Sequence, residues 1–294
     1  MLNFSRWLLN ESFELPFSII KDIYEFYKRV INEYDEYDKR SAQKIFKIDF
    51  TGTNFEFLNK LNANLKVLVG YEYNYRLRIN DIRFGAHGRY QHLNLYANPI
   101  YGTIILPMVD IKDRHEKDIY DHVGITVIEH EVLHFVQDLI KVAKNLEHIG
   151  GLPSPKFVKR IKDKEGIDSD YNNQRVPHHK RPIEFYPNMN SSISYIQYNY
   201  LYWCCKQSYD LDYCQKDKDM KKNYLNRQIN IMKKNERYNF DQEYFRMLLK
   251  NAYKRFVDND DFLSKYYHIF DDENFEYTTT YNGKEYKQKG SYFA

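Results

Sequence analysis

The sequence predicts an α+β protein in which a mixed sheet and one long helix precede a helical C-terminal part. Two patterns carry this prediction. Apolar and polar residues alternate in segments between residues 44 and 106, which is typical of strands, whereas apolar residues recur every three or four positions before and after that region, which is typical of helices. We expect three parts: an N-terminal helical segment over 1–43, a domain with the sheet over 44–207, and a helical part over 208–294 that ends in a polar hairpin.

The first half of the chain supplies the sheet and the helices beside it. Pro16 favours a helix start, and the apolar positions from Phe17 to Tyr37 fall on one helical face. Thr51-Gly52-Thr53 ends the first strand, and Asn54 can cap a short helix. The predicted elements are a helix over 17–37, strands over 44–50, 65–75, 77–84, 90–96 and 102–106, a short helix over 54–61, and a long helix over 121–145.

The second half is predicted to be helical after an exposed loop. Residues 152–181 combine prolines with a charged middle, which favours a long loop without regular structure. The sequence Tyr281-Asn282-Gly283-Lys284 is a strong hairpin signal. The predicted elements are helices over 187–207, 220–235 and 240–257 and a hairpin within 275–293.

Composition and charge argue against several classes of protein. The 294 residues are 43 % hydrophobic and 17 % aromatic, which favours a packed core over disorder. The 44 basic and 41 acidic residues give a formal charge of +3, too balanced to indicate nucleic acid or a membrane. No uncharged stretch approaches the ~18 residues that cross a bilayer. We therefore expect no membrane partner, and we do not expect nucleic acid as a partner.

The cysteines and the N-terminal residues indicate a reducing compartment. Cys204 and Cys205 are adjacent, and with Cys214 they cannot form an even disulfide framework, so we expect reduced thiols. Charged residues interrupt residues 1–20, so no signal peptide is predicted and we expect a cytoplasmic protein. The wealth of Asn, Lys, Ile and Tyr is typical of AT-rich genomes such as many phages have, in which case the location is the host cytoplasm or the virion.

The run His130-Glu131-Val132-Leu133-His134 carries the strongest functional signal. Residues four apart lie one turn apart on the same face of a helix, so both imidazoles can bind one zinc ion. Glu131 points about 100° away from His130, so its carboxylate can reach a metal-bound water rather than the metal. The spacing predicts a zinc site with His130 and His134 as ligands and Glu131 as the general base.

This HExxH pattern resembles that of the zincin metallopeptidases, in which the motif helix provides two zinc ligands and the catalytic glutamate. The resemblance implies a zincin-like mixed sheet beside the active-site helix within residues 44–200. It also implies an edge strand that aligns the substrate, for which Tyr101–Leu106 is the candidate. Zinc would be the cofactor, and the substrate would be a peptide or protein whose carbonyl is attacked by a metal-bound water that Glu131 activates.

The third zinc ligand separates the branches of this family. Metzincins carry a glycine and a third histidine where this chain has Gln137 and Ile140, so the resemblance is to the glutamate-ligand (gluzincin) branch. Its third ligand comes from a later helix. Glu147 would lie about 20 Å along the motif helix, and Glu165 stands in a charged loop, whereas Glu184 has apolar and aromatic neighbours. Because carboxylates in such company are usually paired or metal-bound, Glu184 is the predicted ligand.

Further roles near the site stay open. Gln137 and Asp138 follow His134 by about one turn and could orient it. Such enzymes also stabilise an oxyanion with a His, Tyr or Arg side chain. The candidates before or beside Glu184 are Tyr171, Arg175, His178, His179, Arg181 and Tyr186.

Two other functions fit parts of the sequence. The alternative to an enzyme is a structural or interaction protein, such as a phage virion or tail component, that uses a zincin-like scaffold without catalysis. Its partners would be virion proteins or further copies of the chain, and the tyrosine content suits such interfaces. Residues 216–256 carry twelve Lys or Arg against five Asp or Glu. A basic face of this kind can contact phosphates, although a solvated surface is its usual explanation.

Overall fold

The computed structural model divides the chain into two compact units. The first consists of residues 14–115 and 123–188, and the second consists of residues 189–294 with 1–13 and 116–122. The structure describes residues 15, 17–33, 41–53, 55–70, 89–94, 97, 99–107, 117–147, 185–234, 242–273, 275–281 and 283–293.

The described residues form a four-stranded mixed sheet at the centre of the first unit. Its strands are β1 (Ser41–Lys47), β2 (Asn64–Gly70), β3 (Arg89–Asn94) and β4 (Tyr101–Pro107), and a 3₁₀ helix covers Glu56–Leu61. The strand order is β1-β2-β4-β3, in which β2 and β4 are parallel and the two outer pairs are antiparallel. The predicted α+β class with a mixed sheet is therefore confirmed.

One face of this sheet is apolar and is covered by helices α1 (Phe17–Glu33) and α2 (Lys117–Glu147). The ring of Phe26 in α1 lies edge-on to that of Phe46 in β1, with centroids 6.0 Å apart. Buried side chains that share this face through the strand registers are Phe46, Leu65, Val67, Val69, Tyr90, Ile104 and Leu106. Their alternation along each strand is the pattern from which strands were predicted.

Helix α2 approaches β4 closely because Gly102 has no side chain. A Cβ atom at position 102 would lie 2.5 Å from Cδ2 of Phe135 on α2. Phe135 is fully buried, and every residue from Glu131 to Ile140 is buried as well. The motif helix is thus held against the sheet along its middle turns.

The prediction of Tyr101–Leu106 as an edge strand is wrong. β4 pairs with β2 on one side and with β3 on the other, so it lies inside the sheet. Burial of the consecutive residues Gly102, Thr103 and Ile104 fits an interior strand. Among the strands that the structure describes, β3 forms the edge of the sheet next to β4, and its exposed Gln91 is typical of an outer strand.

The second unit is mainly helical, as predicted for the C-terminal part. The helices are α3 (Phe185–Lys206), α4 (Leu211–Lys216), α5 (Lys218–Lys234), α6 (Gln242–Ala252) and α7 (Tyr267–Phe270), with a π-helical turn over Tyr253–Val257 and a 3₁₀ turn over Phe262–Lys265. The three long predicted helices correspond to α3, α5 and α6, whereas the short helices α4 and α7 were not predicted, since one turn shows no periodicity. No helix in the described part of the chain is long and apolar enough to cross a membrane.

The chain ends in the predicted hairpin, formed by β5 (Glu276–Tyr281) and β6 (Lys284–Lys289). Gly283 in its turn has φ +73°, a backbone conformation that side chains disfavour. Every residue of β6 is exposed. The hairpin prediction is therefore confirmed, and its second strand is polar and solvated.

Three buried thiols lie where α3 and α4 meet in the second unit. Cys204, Cys205 and Cys214 are free and have no exposed surface. A hydrogen bond with Cys214, together with burial, raises the pKa of Cys204, and burial raises that of Cys205. The hydroxyl of Tyr200 donates to the carbonyl of Cys214 over 2.8 Å and ties α3 to α4.

Candidate metal centre

His130 and His134 bring their ring nitrogens together on one face of α2. The Nε2 atoms of the two rings are 3.2 Å apart, with ring centroids 4.9 Å apart and planes at 78°. His134 is 2 % exposed, whereas His130 is half-buried. One side of the pair therefore meets the core of the first unit and the other is nearer to solvent.

This spacing fits two ligands of one zinc ion. Zinc–nitrogen bonds of about 2.0–2.1 Å in a tetrahedral arrangement hold two nitrogen atoms about 3.3–3.4 Å apart. The observed 3.2 Å between the Nε2 atoms is close to that separation. The two Nε2 atoms thus have nearly the separation that a tetrahedral zinc ion requires.

Gln137 holds His134 in the orientation that a metal ligand needs. Its Oε1 atom lies 3.0 Å from Nδ1 of His134. Because an amide oxygen only accepts hydrogen bonds, Nδ1 carries the proton and Nε2 presents its lone pair toward His130. Metal-binding histidines commonly donate their second ring N–H to an oxygen in this way. Gln137 was one of the two residues proposed from the sequence to orient the site.

Asp138 supports the same ring indirectly, through Tyr90 of β3. The Tyr90 hydroxyl donates to Oδ2 of Asp138 over 3.1 Å, and the Tyr90 ring stacks on that of His134 at 6.3 Å. Asp138 has no exposed surface, and Nζ of Lys141 lies 3.9 Å from its other oxygen. Tyr90 could not be predicted from the sequence, because it precedes Asp138 by 48 residues and only the sheet brings them together.

Glu131 shares the buried stretch of α2 with the histidine pair. Its side chain is 8 % exposed, and that of Glu129 is 4 % exposed. Two positions separate these carboxylates along the helix, so they lie on nearly opposite faces. Only Glu131 follows His130 directly, in the position predicted for the general base.

Several predicted site residues lie outside the described residues. Glu184, the predicted third ligand, is one of them, and so are Glu165 and the oxyanion candidates Tyr171, Arg175, His178, His179 and Arg181. Glu147 ends α2 and Tyr186 lies in the first turn of α3, but only their backbone is described. Within the described residues, no group of three or more His, Cys, Asp and Glu side chains is arranged to hold a metal ion. The described part of the centre is therefore a two-histidine face.

Comparison of the chain with protein-family models, with curated proteins and with solved structures found no match. The chemistry of the centre therefore rests on its own geometry.

Replacing Gln137 with Leu is expected to weaken zinc binding by about 10–100-fold, the usual effect of losing a group that orients a metal-binding histidine. Leucine fills a similar volume without an acceptor for the His134 N–H. Competition titration with a chromogenic chelator would measure the affinity. Exposed Gln91 on β3 offers a control, since Gln91→Leu should leave the affinity unchanged. Equal affinity in the wild type and Gln137→Leu would show that this contact does not orient the ligand.

Proposed function

We propose that the protein is a zinc-dependent hydrolase of the metallopeptidase type. The observation that carries this proposal is the 3.2 Å approach of the His130 and His134 Nε2 atoms, with Nδ1 of His134 held by Gln137. The buried amide of Gln137 fixes the tautomer of His134, which a pair of histidines with no function on the surface would not need. The zincin-like motif and the mixed sheet beside α2 support the same class of enzyme.

The residues of the proposed zinc centre have different roles. His130 and His134 would hold zinc through Nε2, and Glu184 is the proposed third ligand. A zinc ion held there would supply Lewis-acid chemistry, namely polarisation of a substrate carbonyl and a lower pKa of a bound water. The Glu131 carboxylate would accept a proton from the attacking water and return it to the leaving amine. Because Glu131 is largely buried, few bulk water molecules compete for its oxygens.

We propose β3 rather than β4 as the strand that aligns the substrate. Among the described strands, β3 is the outer one beside the histidine pair, and its Tyr90 ring stacks on His134. An extended peptide can add to such a strand through main-chain hydrogen bonds. The carbonyl of the peptide bond to be cleaved would then lie near the helix face that carries His130.

The experiment that tests the proposal is the zinc content of the protein after dialysis against zinc and removal of the excess. We expect one zinc ion per chain in the wild type, loss of it in His134→Ala, and weaker binding in Glu184→Ala. His268→Ala changes a histidine in the second unit and serves as the control. Elemental analysis by mass spectrometry provides the measurement.

Two outcomes would contradict the proposal. If the wild type takes up no zinc, there is no metal centre, and the structural or interaction protein becomes the function to test. If His134→Ala keeps its zinc while His268→Ala loses it, the metal binds elsewhere. Retention of zinc in Glu184→Ala alone would reject that residue as the third ligand but keep the histidine pair.

A further inference from the structure

Helix α5 in the second unit separates its charged and apolar residues onto opposite faces. Leu225, Ile229 and Met232 are buried against the unit. The fourth buried residue, Lys221, has no exposed surface and donates from Nζ to the carbonyl of Asn259 and to Oδ1 of Asp260, both at 3.0 Å. Lys221 thus anchors the helix and does not belong to its outer face.

The outer face of α5 is cationic and rich in amides. Positions three and four apart place an asparagine row along its middle, with cations on both sides of it. Exposed Asp219 begins this row, one turn before Asn223. The other exposed residues of this face are Asn223, Asn226 and Asn230 in the row and Lys222, Arg227, Lys233 and Lys234 beside it. We refer to these seven residues as the α5 outer face.

Few carboxylates neutralise this surface. Among the residues of α5, α6 and the π turn whose side chains are described, eight exposed cations stand against one exposed acid, Asp219 in the first turn of α5. Lys218 lies 3.8 Å from Asp258. Lys222 and Lys234 form no ion pair with any described carboxylate. The chain as a whole carries only +3, so positive charge is concentrated on this unit's helices.

From this arrangement we infer that the α5 outer face is a docking surface for double-stranded nucleic acid. The 17-residue helix is about 25 Å long, and its outer half-circumference is exposed, so it can lie in a major groove about 12 Å wide. Lysine and arginine neutralise phosphates, and asparagine amides both donate to phosphates and pair with base edges.

The asparagine row favours nucleic acid over an anionic membrane. Helices that lie on membranes present a continuous apolar stripe between their cationic edges. On α5 that central position is occupied by asparagine, and the exposed large apolar residue Ile231 stands at the border of the face. A polar centre between cations matches a groove lined by phosphates, where amides find hydrogen-bond partners.

The test is binding of the full-length protein to a fluorescein-labelled DNA duplex of about 20 base pairs, which spans the helix with margin. Fluorescence anisotropy is measured between about 50 and 200 mM salt. We expect affinity to fall steeply with salt. The triple variant Lys222→Gln, Arg227→Gln, Lys234→Gln should bind at least about tenfold more weakly and reduce the salt slope by about 2–3.

A matched variant removes the same charge elsewhere in the second unit. Lys284→Gln, Lys287→Gln, Lys289→Gln neutralises three exposed lysines of β6, so net charge alone cannot distinguish the two variants. We expect this variant to keep most of the affinity. Because glutamine preserves helix propensity, circular dichroism should show unchanged helix content in both.

Three results would overturn this inference. They are absence of duplex binding at the lowest salt, equal loss of affinity in the two triple variants, and binding of phosphatidylserine vesicles without binding of the duplex. The last result would assign the face to a membrane. Duplex binding can be measured with a chelator present, so its result does not depend on the proposed zinc site.

Discussion

Replacing Glu131 with Gln is expected to slow peptide hydrolysis by about 10²–10⁴-fold, the usual contribution of a general base, while zinc stays bound. The amide has nearly the same shape as the carboxylate but cannot accept the proton of the attacking water. His130 and His134 are unchanged, so zinc content should equal that of the wild type. The measurement is cleavage of a pool of internally quenched peptides together with elemental analysis.

Glu129→Gln provides a matched control for this prediction. It replaces a buried carboxylate two positions before Glu131, on nearly the opposite face of the same helix. We expect Glu129→Gln to keep its activity. Hydrolysis that survives in Glu131→Gln would reject Glu131 as the base, and equal loss in both variants would show that the effect comes from the stability of α2.

Replacing Gly102 with Ala is expected to lower the free energy of unfolding by about 1–3 kcal/mol, the usual cost of overpacking a core. The new Cβ would stand 2.5 Å from Cδ2 of Phe135, and it also approaches the ring of Tyr90. Since Phe135 is fully buried, its ring cannot swing into solvent, and α2 has to move away from β4. Urea unfolding followed by circular dichroism measures the loss.

A second variant tests whether the clash with Phe135 is the cause. Phe135→Leu shortens the side chain, so the cost of Gly102→Ala should be smaller in that background than in the wild type. Because Tyr90 and His134 lie on the same contact surface, Gly102→Ala should also weaken zinc binding. Equal unfolding midpoints for Gly102→Ala and the wild type would contradict the close approach of α2 and β4.

The elements that the sequence predicted well are those with local causes. The periodicity of 121–145 predicted α2, observed over Lys117–Glu147, and the Asn-Gly pair predicted the C-terminal hairpin. The order of strands in the sheet has no local cause. Tyr101–Leu106 was placed at the edge because it precedes the motif helix, whereas the parallel pairing of β2 with β4 puts it inside.

The candidate site divides in the same way. His130, Glu131 and His134 follow from spacing within one helix, and Gln137 contacts His134 one turn later. Tyr90 could not be found by spacing, since its contact with Asp138 depends on the position of β3.

The π turn at Tyr253–Val257, which lies outside the candidate site, was also not predicted from the sequence. Gln197 of α3 donates there to the carbonyl of Arg255 over 2.6 Å, an interaction between segments 58 residues apart.

The buried thiols of Cys204 and Cys205 give the second unit a built-in chemical probe of its own opening. Only a thiolate reacts with an alkylating reagent, and Cys204 and Cys205 are both buried and hard to ionise in the folded unit. They are therefore labelled in those moments when α3 and α4 separate. The labelling rate measures how often the unit opens, and comparison of this rate with and without bound partners reports their effect on the unit without any added fluorophore.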